Sequence, residues 1–188
     1  VAEGLRSFGA ADPVSVVPLL LTAAYHGRVD LPAVLSEARA AGIGLGAVMT
    51  DVLGPTGPGV PTDLLAGLRR RLAETGSGPL DGVVLVAAGT RDEAARSTVD
   101  QVAAALGATL GVPCRAAYAS AAAPTAGEAV RTLGAAGARR VAVAAYFLAT
   151  GHLYGAAVDS ALAAGAVAVA EPLGDAPELA RLVLDRVS

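Results

Sequence analysis

Two stretches of this chain repeat one another, and each closes its hydrophobic run on one of the only two histidines present. Glu3-Gly-Leu-Arg-Ser-Phe-Gly-Ala-Ala, a loop and SVVPLLLTAAYHG read against Glu128-Ala-Val-Arg-Thr-Leu-Gly-Ala-Ala, a loop and VAVAAYFLATGHL. With one extra residue allowed in the second loop, Glu3 pairs with Glu128, Gly9 with Gly134, Val17 with Val143 and His26 with His152. The chain is a tandem duplication, so it has to fold as two copies of one unit.

The second copy spells that unit out. Apolar runs at 82–88, 113–118, 140–148 and 166–170 alternate with helical segments at 92–110, 124–133, 154–164 and 176–187. Asp92 stands where it can cap the first of these helices, and Pro124 and Thr125 open the second. Runs that are apolar throughout mark strands buried on both faces, and right-handed crossovers lay the intervening helices on either side of a parallel sheet. The first copy shows the same order from its second helix onward: helix 1–8, strand 14–21, helix 31–41, strand 43–49 and helix 61–74. The expected fold is α/β, two tandem parallel-sheet domains of flavodoxin-like or Rossmann-like winding, the first incomplete at its amino end. By the length of the second copy ahead of Glu128, about 45 to 50 residues would precede Val1. The two halves, 1–75 and 79–188, meet in Thr75-Gly-Ser-Gly-Pro79, where glycine and serine give flexibility and proline stops the preceding helix. A glycine- and proline-rich loop at 54–61 follows the last strand of the first half.

Composition excludes several partners. A content of 54% hydrophobic and 16% charged residues describes a packed globular protein. The net charge of -3 offers no basic face to a phosphate backbone, and Arg69-Arg70-Arg71 sits late in an amphipathic helix, where cations suit the helix dipole. Nucleic acid is therefore not expected. Cys114, the lone cysteine, gives neither a disulfide framework nor a cysteine metal motif, which fits a reducing cytoplasm. The apolar run at 14–25 is too short for a membrane span and is broken by Pro18, and the amino end lacks a basic-then-apolar signal pattern.

The histidines carry the chemistry. His26 follows a buried strand and precedes a helix whose expected cap is Asp30, at the carboxyl edge where open parallel sheets hold their ligands. The nearby helix start disfavours imidazolium and keeps a ring lone pair available, as a divalent metal or a proton acceptor requires. An isolated loop histidine more often makes ordinary hydrogen bonds; the repetition of the placement favours the functional reading. His152 holds the equivalent position, as a second ligand or as a relic of the duplication. The turn Gly89-Thr90-Arg91-Asp92 presents backbone N–H groups where a carboxylate or phosphate could be received. Glu3 and Glu128, near helix starts, are expected to serve the helix dipole. No G-x-G-x-x-G follows a strand, and a chain without lysine has no Walker lysine, so no nucleotide cofactor is expected. G-x-S-x-G, H-E-x-x-H and cysteine pairs are also missing from the sequence, as is a nucleophile beside a base, which argues against a generic hydrolase or transferase.

PLLLTAAYHGRVDLPAVL, the duplicate YFLATGH, and LVAAGTRDEAA followed by the helix start Pro124 to Glu128 together resemble the long-form CbiX-type sirohydrochlorin chelatases. Its most specific part is the strand-to-histidine segment followed by Asp-x-Pro, and the likeness runs over essentially the whole chain. That resemblance implies a class II chelatase, a lyase that inserts cobalt or ferrous iron into sirohydrochlorin without ATP, toward cobalamin or sirohaem. It implies two α/β halves facing each other across a cleft, within a monomer or homodimer, with paired histidines that bind the metal and take pyrrole protons. His26 matches the family histidine after the third strand of the first half. The family's other active histidine lies in a His-Gly-Ser-Arg-like turn that would precede Val1; in the second half Ala88 stands at that place. Under this reading His26 is catalytic and a metal ligand, His152 a second candidate ligand, and Thr90, Arg28 and Arg91 contact the substrate carboxylates. The metal enters as substrate and the tetrapyrrole is the partner. The alternative is a non-catalytic tetrapyrrole or metal binder of the same fold.

Overall fold

A computed structural model of the chain describes residues 2–5, 13–23, 30–43 and 46–187. Its organising element is a four-stranded parallel sheet formed by β3 (Gly82–Ala87), β4 (Cys114–Tyr118), β5 (Val141–Tyr146) and β6 (Ala168–Val169), in the order β4-β3-β5-β6. Every residue of β3 and β5 is buried, as uniform apolar runs demand. Side chains alternate across the sheet: Val83, Leu85 and Ala87 of β3 and Ala142, Ala144 and Tyr146 of β5 enter one core. Val84 and Val86, with Val141 and Val143, enter the other. Helices α5 (Ala126–Ala135) and α6 (His152–Ala163) cover the second face through Ala129, Val130, Leu133, Ala157 and Ala161. On the first face lies α4 (Glu93–Leu110), presenting Val99, Val102 and Leu106.

The helix starts follow the sequence closely. Asp92 Oδ1 accepts from the Ala95 amide at 3.1 Å and caps α4, while Gly111, in the left-handed region at φ 69°, ends it. Thr125 and Glu128 form a capping box at the start of α5, so Glu128 serves the helix end. Accepting from the Thr125 amide holds its carboxyl below the usual range.

The first half contributes α1 (Ala2–Leu5), β1 (Val14–Val16), α2 (Leu31–Ala40), β2 (Ala47–Met49) and α3 (Thr62–Glu74). Strands β1 and β2 pair in parallel, and Leu5, Leu35, Ala38 and Ala47 make a small core beneath them. The expected strand 14–21 ends at Val16. Pro18 has no N–H to give to a ladder, and the Leu20 amide turns back to the Pro18 carbonyl at 2.8 Å. Beyond that break the segment still follows its neighbour, since Leu53 N–H donates to the Leu20 carbonyl at 2.8 Å. Strand 166–170 is likewise shorter than expected, and helix 154–164 starts earlier, at His152. Of helix 1–8 only Ala2–Leu5 lies within the described residues, and of strand 43–49, residues 44 and 45 lie outside them.

Helix α3 belongs to the first half by chain order, yet its Leu64, Leu68 and Leu72 share a core with Val83, Leu85 and Leu106 of the second. It runs beside α7 (Pro177–Asp185), the corresponding last helix of the second half, and the two exchange contacts reciprocally. Arg70 Nε reaches Glu178 at 3.1 Å and Arg181 Nη2 reaches Asp63 at 2.8 Å; both acids stand in the first turn of their helix. Arg71 Nη2 donates to the Leu173 carbonyl at 2.8 Å, in the loop between β6 and α7. Arg186 Nε donates to the Val52 carbonyl at 2.9 Å, in the loop between β2 and α3. The late arginines of α3 thus clasp the other half as well as suiting the dipole. Among the described residues, no helix is long and apolar enough to cross a membrane.

Candidate active site

In the order β4-β3-β5-β6 the chain leaves β3 in one direction for β4 and then crosses back to β5, so a crevice opens at the carboxyl ends of β3 and β5. A cleft of about 330 Å³ lies there. Its walls on the second half are Ala87, Ala88, Gly89 and Thr90 at and after the end of β3, Val99 of α4, Tyr118 at the end of β4, and Tyr146, Phe147, Leu148 and Ala149 at and after β5. Its opposite wall is residues 19–22 of the first half. The cleft is therefore built between the two copies, from the strand-to-histidine segment of the first and the strand ends of the second.

The surface is largely apolar and aromatic, with a few polar handles. Phe147 is backed edge-to-face by Tyr154, ring centroids 5.9 Å apart at 70°. Burial raises the Tyr118 phenol above its ordinary pKa, and the Asp100 carboxylate adds to the effect. Gly89 has φ 100°, and a Cβ there would stand 1.9 Å from the Ser120 carbonyl oxygen, so glycine is required by both conformation and space. Ser120 is stitched to the end of β3 through its amide and its hydroxyl, both donated to the Ala88 carbonyl at 3.0 and 2.9 Å. Thr90 Oγ1 accepts from the Asp92 amide at 3.1 Å, which leaves its O–H hydrogen to donate toward an acceptor in the cleft.

Thr90 is thus the expected substrate-binding residue that lines the cleft. Arg91 is exposed in the same turn, next to Thr90 in the chain but not among the lining residues. His152 is exposed at the first position of α6, three residues beyond the lining residue Ala149. His26 and Arg28 lie outside the described residues, which resume at Asp30. Among the described residues, no group of three or more His, Cys, Asp or Glu side chains is gathered to hold a metal ion. Sequence reasoning did not single out Tyr118, Tyr146 or Phe147. Their only signal was an aromatic residue at the end of two of the apolar runs, 113–118 and 140–148, which is shared with ordinary core positions.

This α/β fold with a cleft at the strand ends is shared by solved chelatases. SirB from Bacillus subtilis, solved with Fe3+, superposes with a TM-score of 0.79 at 20% identity, over 98% of this chain and 73% of that one. SirB from Bacillus subtilis subspecies spizizenii, described as a sirohydrochlorin chelatase in complex with cobalt, gives 0.75 at 20% identity over 99% and 72%. CbiX, described as the terminal enzyme for biosynthesis of siroheme in denitrifying bacteria, gives 0.71 at 22% identity over 97% and 77%. At such identities the likeness is one of fold. The chain belongs to the CbiX family, which it matches over residues 1–74 and 82–188, both halves of the duplication. No curated protein matches it.

Proposed function

We propose that this protein inserts a divalent metal, cobalt or ferrous iron, into sirohydrochlorin without ATP, in the formation of cobalamin or sirohaem. The observation that carries the reading is the cleft between the copies, one wall of which is the segment leading to His26. Membership of the CbiX family over both halves supports it.

Insertion exchanges two pyrrole N–H protons for one metal ion. It needs a base near neutrality, a ligand that holds the metal beside the ring, and a surface that orients the macrocycle. In this proposal His26 is the base and a metal ligand, and His152 is the second candidate ligand. Neutral imidazole suits cobalt and ferrous iron alike, so ligand type does not select between them. The apolar lining residues Phe147, Leu148 and Leu21 give a face for the ring, whose rim of carboxylates extends beyond a cleft of about 330 Å³. Thr90 supplies a hydroxyl donor to that rim, and Arg28 and Arg91 supply cations. The halves 1–75 and 79–188 act together as one catalytic unit, in a cytoplasmic monomer or homodimer.

The test is cobalt insertion into sirohydrochlorin followed by absorbance, with the complete protein and its His26→Ala variant. The expected outcome is turnover by the parent and loss of at least a hundredfold in the variant, the scale of a lost general base. Retained turnover removes His26 from the mechanism. Tight binding of sirohydrochlorin by the parent without insertion would instead identify a non-catalytic binder of the same fold.

A further inference from the structure

One buried polar contact in the cleft joins the two copies directly. Tyr146, the last residue of β5, is 3% exposed, and its O–H donates to the Leu21 carbonyl at 2.7 Å, 125 residues away in the chain. Burial raises the phenol pKa well above its ordinary value, so the group remains a donor at any working pH. The segment it touches is gripped from its other side as well. The preceding carbonyl, Leu20 O, accepts from the Leu53 amide at 2.8 Å. Gly54 follows so closely that a Cβ there would stand 1.8 Å from Leu21 O and 2.8 Å from the Tyr146 hydroxyl. Two successive carbonyls of one short segment are thereby fixed, one by its own half and one by the other half. That segment needs such fixing, because past Pro18 it has left the β1 ladder.

We propose that Tyr146 is a positioning residue: its hydroxyl holds residues 19–22 at a set height against the second half, and so fixes the point from which the chain continues to His26. The inference rests on the chelatase reading and assigns the second copy a part in it, that of orienting the first copy's active segment. The repeat makes the asymmetry visible. Tyr146 aligns with Leu20, which has no hydroxyl to return, so the tether runs in one direction only.

The decisive variant is Tyr146→Phe, which keeps the ring and removes one oxygen. In cobalt insertion by the complete protein, kcat is expected to fall about tenfold while KM for sirohydrochlorin stays within about twofold, since a displacement of a fraction of an ångström at a reacting group has effects of that order. A purely structural role would lower the unfolding temperature and leave kcat unchanged, and that result overturns the proposal. Amide hydrogen exchange provides a readout independent of turnover. In the parent, the Leu53 amide, which donates to the Leu20 carbonyl, should exchange as slowly as the amides of β5, and in the variant about tenfold faster while β5 is unchanged. Rapid exchange of the Leu53 amide in the parent overturns the clamp whether or not the variant folds. If the parent inserts no metal, the chelatase reading fails and the exchange experiment still decides on the clamp.

Discussion

Replacing Gly89 by alanine should destabilise the whole molecule through one methyl group. The new Cβ would lie 1.9 Å from the Ser120 carbonyl oxygen, 2.9 Å from its carbonyl carbon and 3.3 Å from Tyr118 Cβ. Neither neighbour can yield cheaply. Ser120 is bonded twice to Ala88, the Ala119 amide donates to the Ala87 carbonyl at 2.9 Å, and Tyr118 is buried beneath. Forcing a side chain into packed surroundings costs about 1 to 3 kcal/mol. Holding a non-glycine residue at φ 100° costs about 1 to 3 kcal/mol more. The sum is roughly 2 to 6 kcal/mol, against a total stability of about 5 to 15 kcal/mol for a typical domain. At this chain length each kcal/mol moves the unfolding midpoint by about 2 to 4 °C, so a fall of about 10 °C is expected in a thermal melt followed by circular dichroism. Gly155→Ala is the matched control, because it lies inside α6 and a Cβ there meets nothing within 4 Å. It should raise the midpoint, by about 0.5 to 1 kcal/mol of helix propensity. A shift below about 3 °C for Gly89→Ala would refute the argument that this turn has no room.

Two further outcomes follow from the clasp between the last helices. Arg71→Ala and Arg186→Ala should each cost about 1 to 2 kcal/mol in urea unfolding, since each removes a charged donor from a carbonyl of the opposite half; a cost confined to one of them would contradict reciprocity. For Glu178, burial alone would raise the pKa, but bonds from its own amide and from Arg70 outweigh this and hold it below the usual value. A lowered folded pKa means stability that is present above about pH 4.3, the ordinary value for a glutamate, and is lost as pH falls through the folded one. Glu178→Gln should therefore flatten the acid limb of the midpoint-against-pH curve, and an unchanged limb would remove Glu178 from acid sensitivity.

The elements of the second half were legible in the sequence because their signals are local. Uniform apolar runs gave β3 and β5 to within a residue or two, and Asp92 and Thr125 marked helix starts by cap chemistry that acts over three residues. The end of β1 was also written locally, in Pro18, but the apolar residues 19–21 hid it. Leu19 is exposed and Leu21 buried at the cleft, so their hydrophobicity serves a wall and not a ladder. What sequence could not reveal is pairing between distant segments. An amphipathic pattern in 61–74 says that α3 has an apolar face, but not that the face lies over the other copy's sheet. The Tyr146 tether to a backbone carbonyl leaves no trace in residue type at Leu21. Of the candidate site, the turn holding Thr90 was readable, whereas the aromatic lining emerged only once three strand ends were brought side by side.

The burial of α3 against the other half has a consequence for how the molecule is held together. A protease that severed the peptide at 75–79 would leave a nicked protein still in one piece, for the freed helix would remain wedged under its neighbour's sheet by Leu64, Leu68 and Leu72. The connecting peptide is only a leash; adhesion resides in α3 and in the ion pairs it makes with α7.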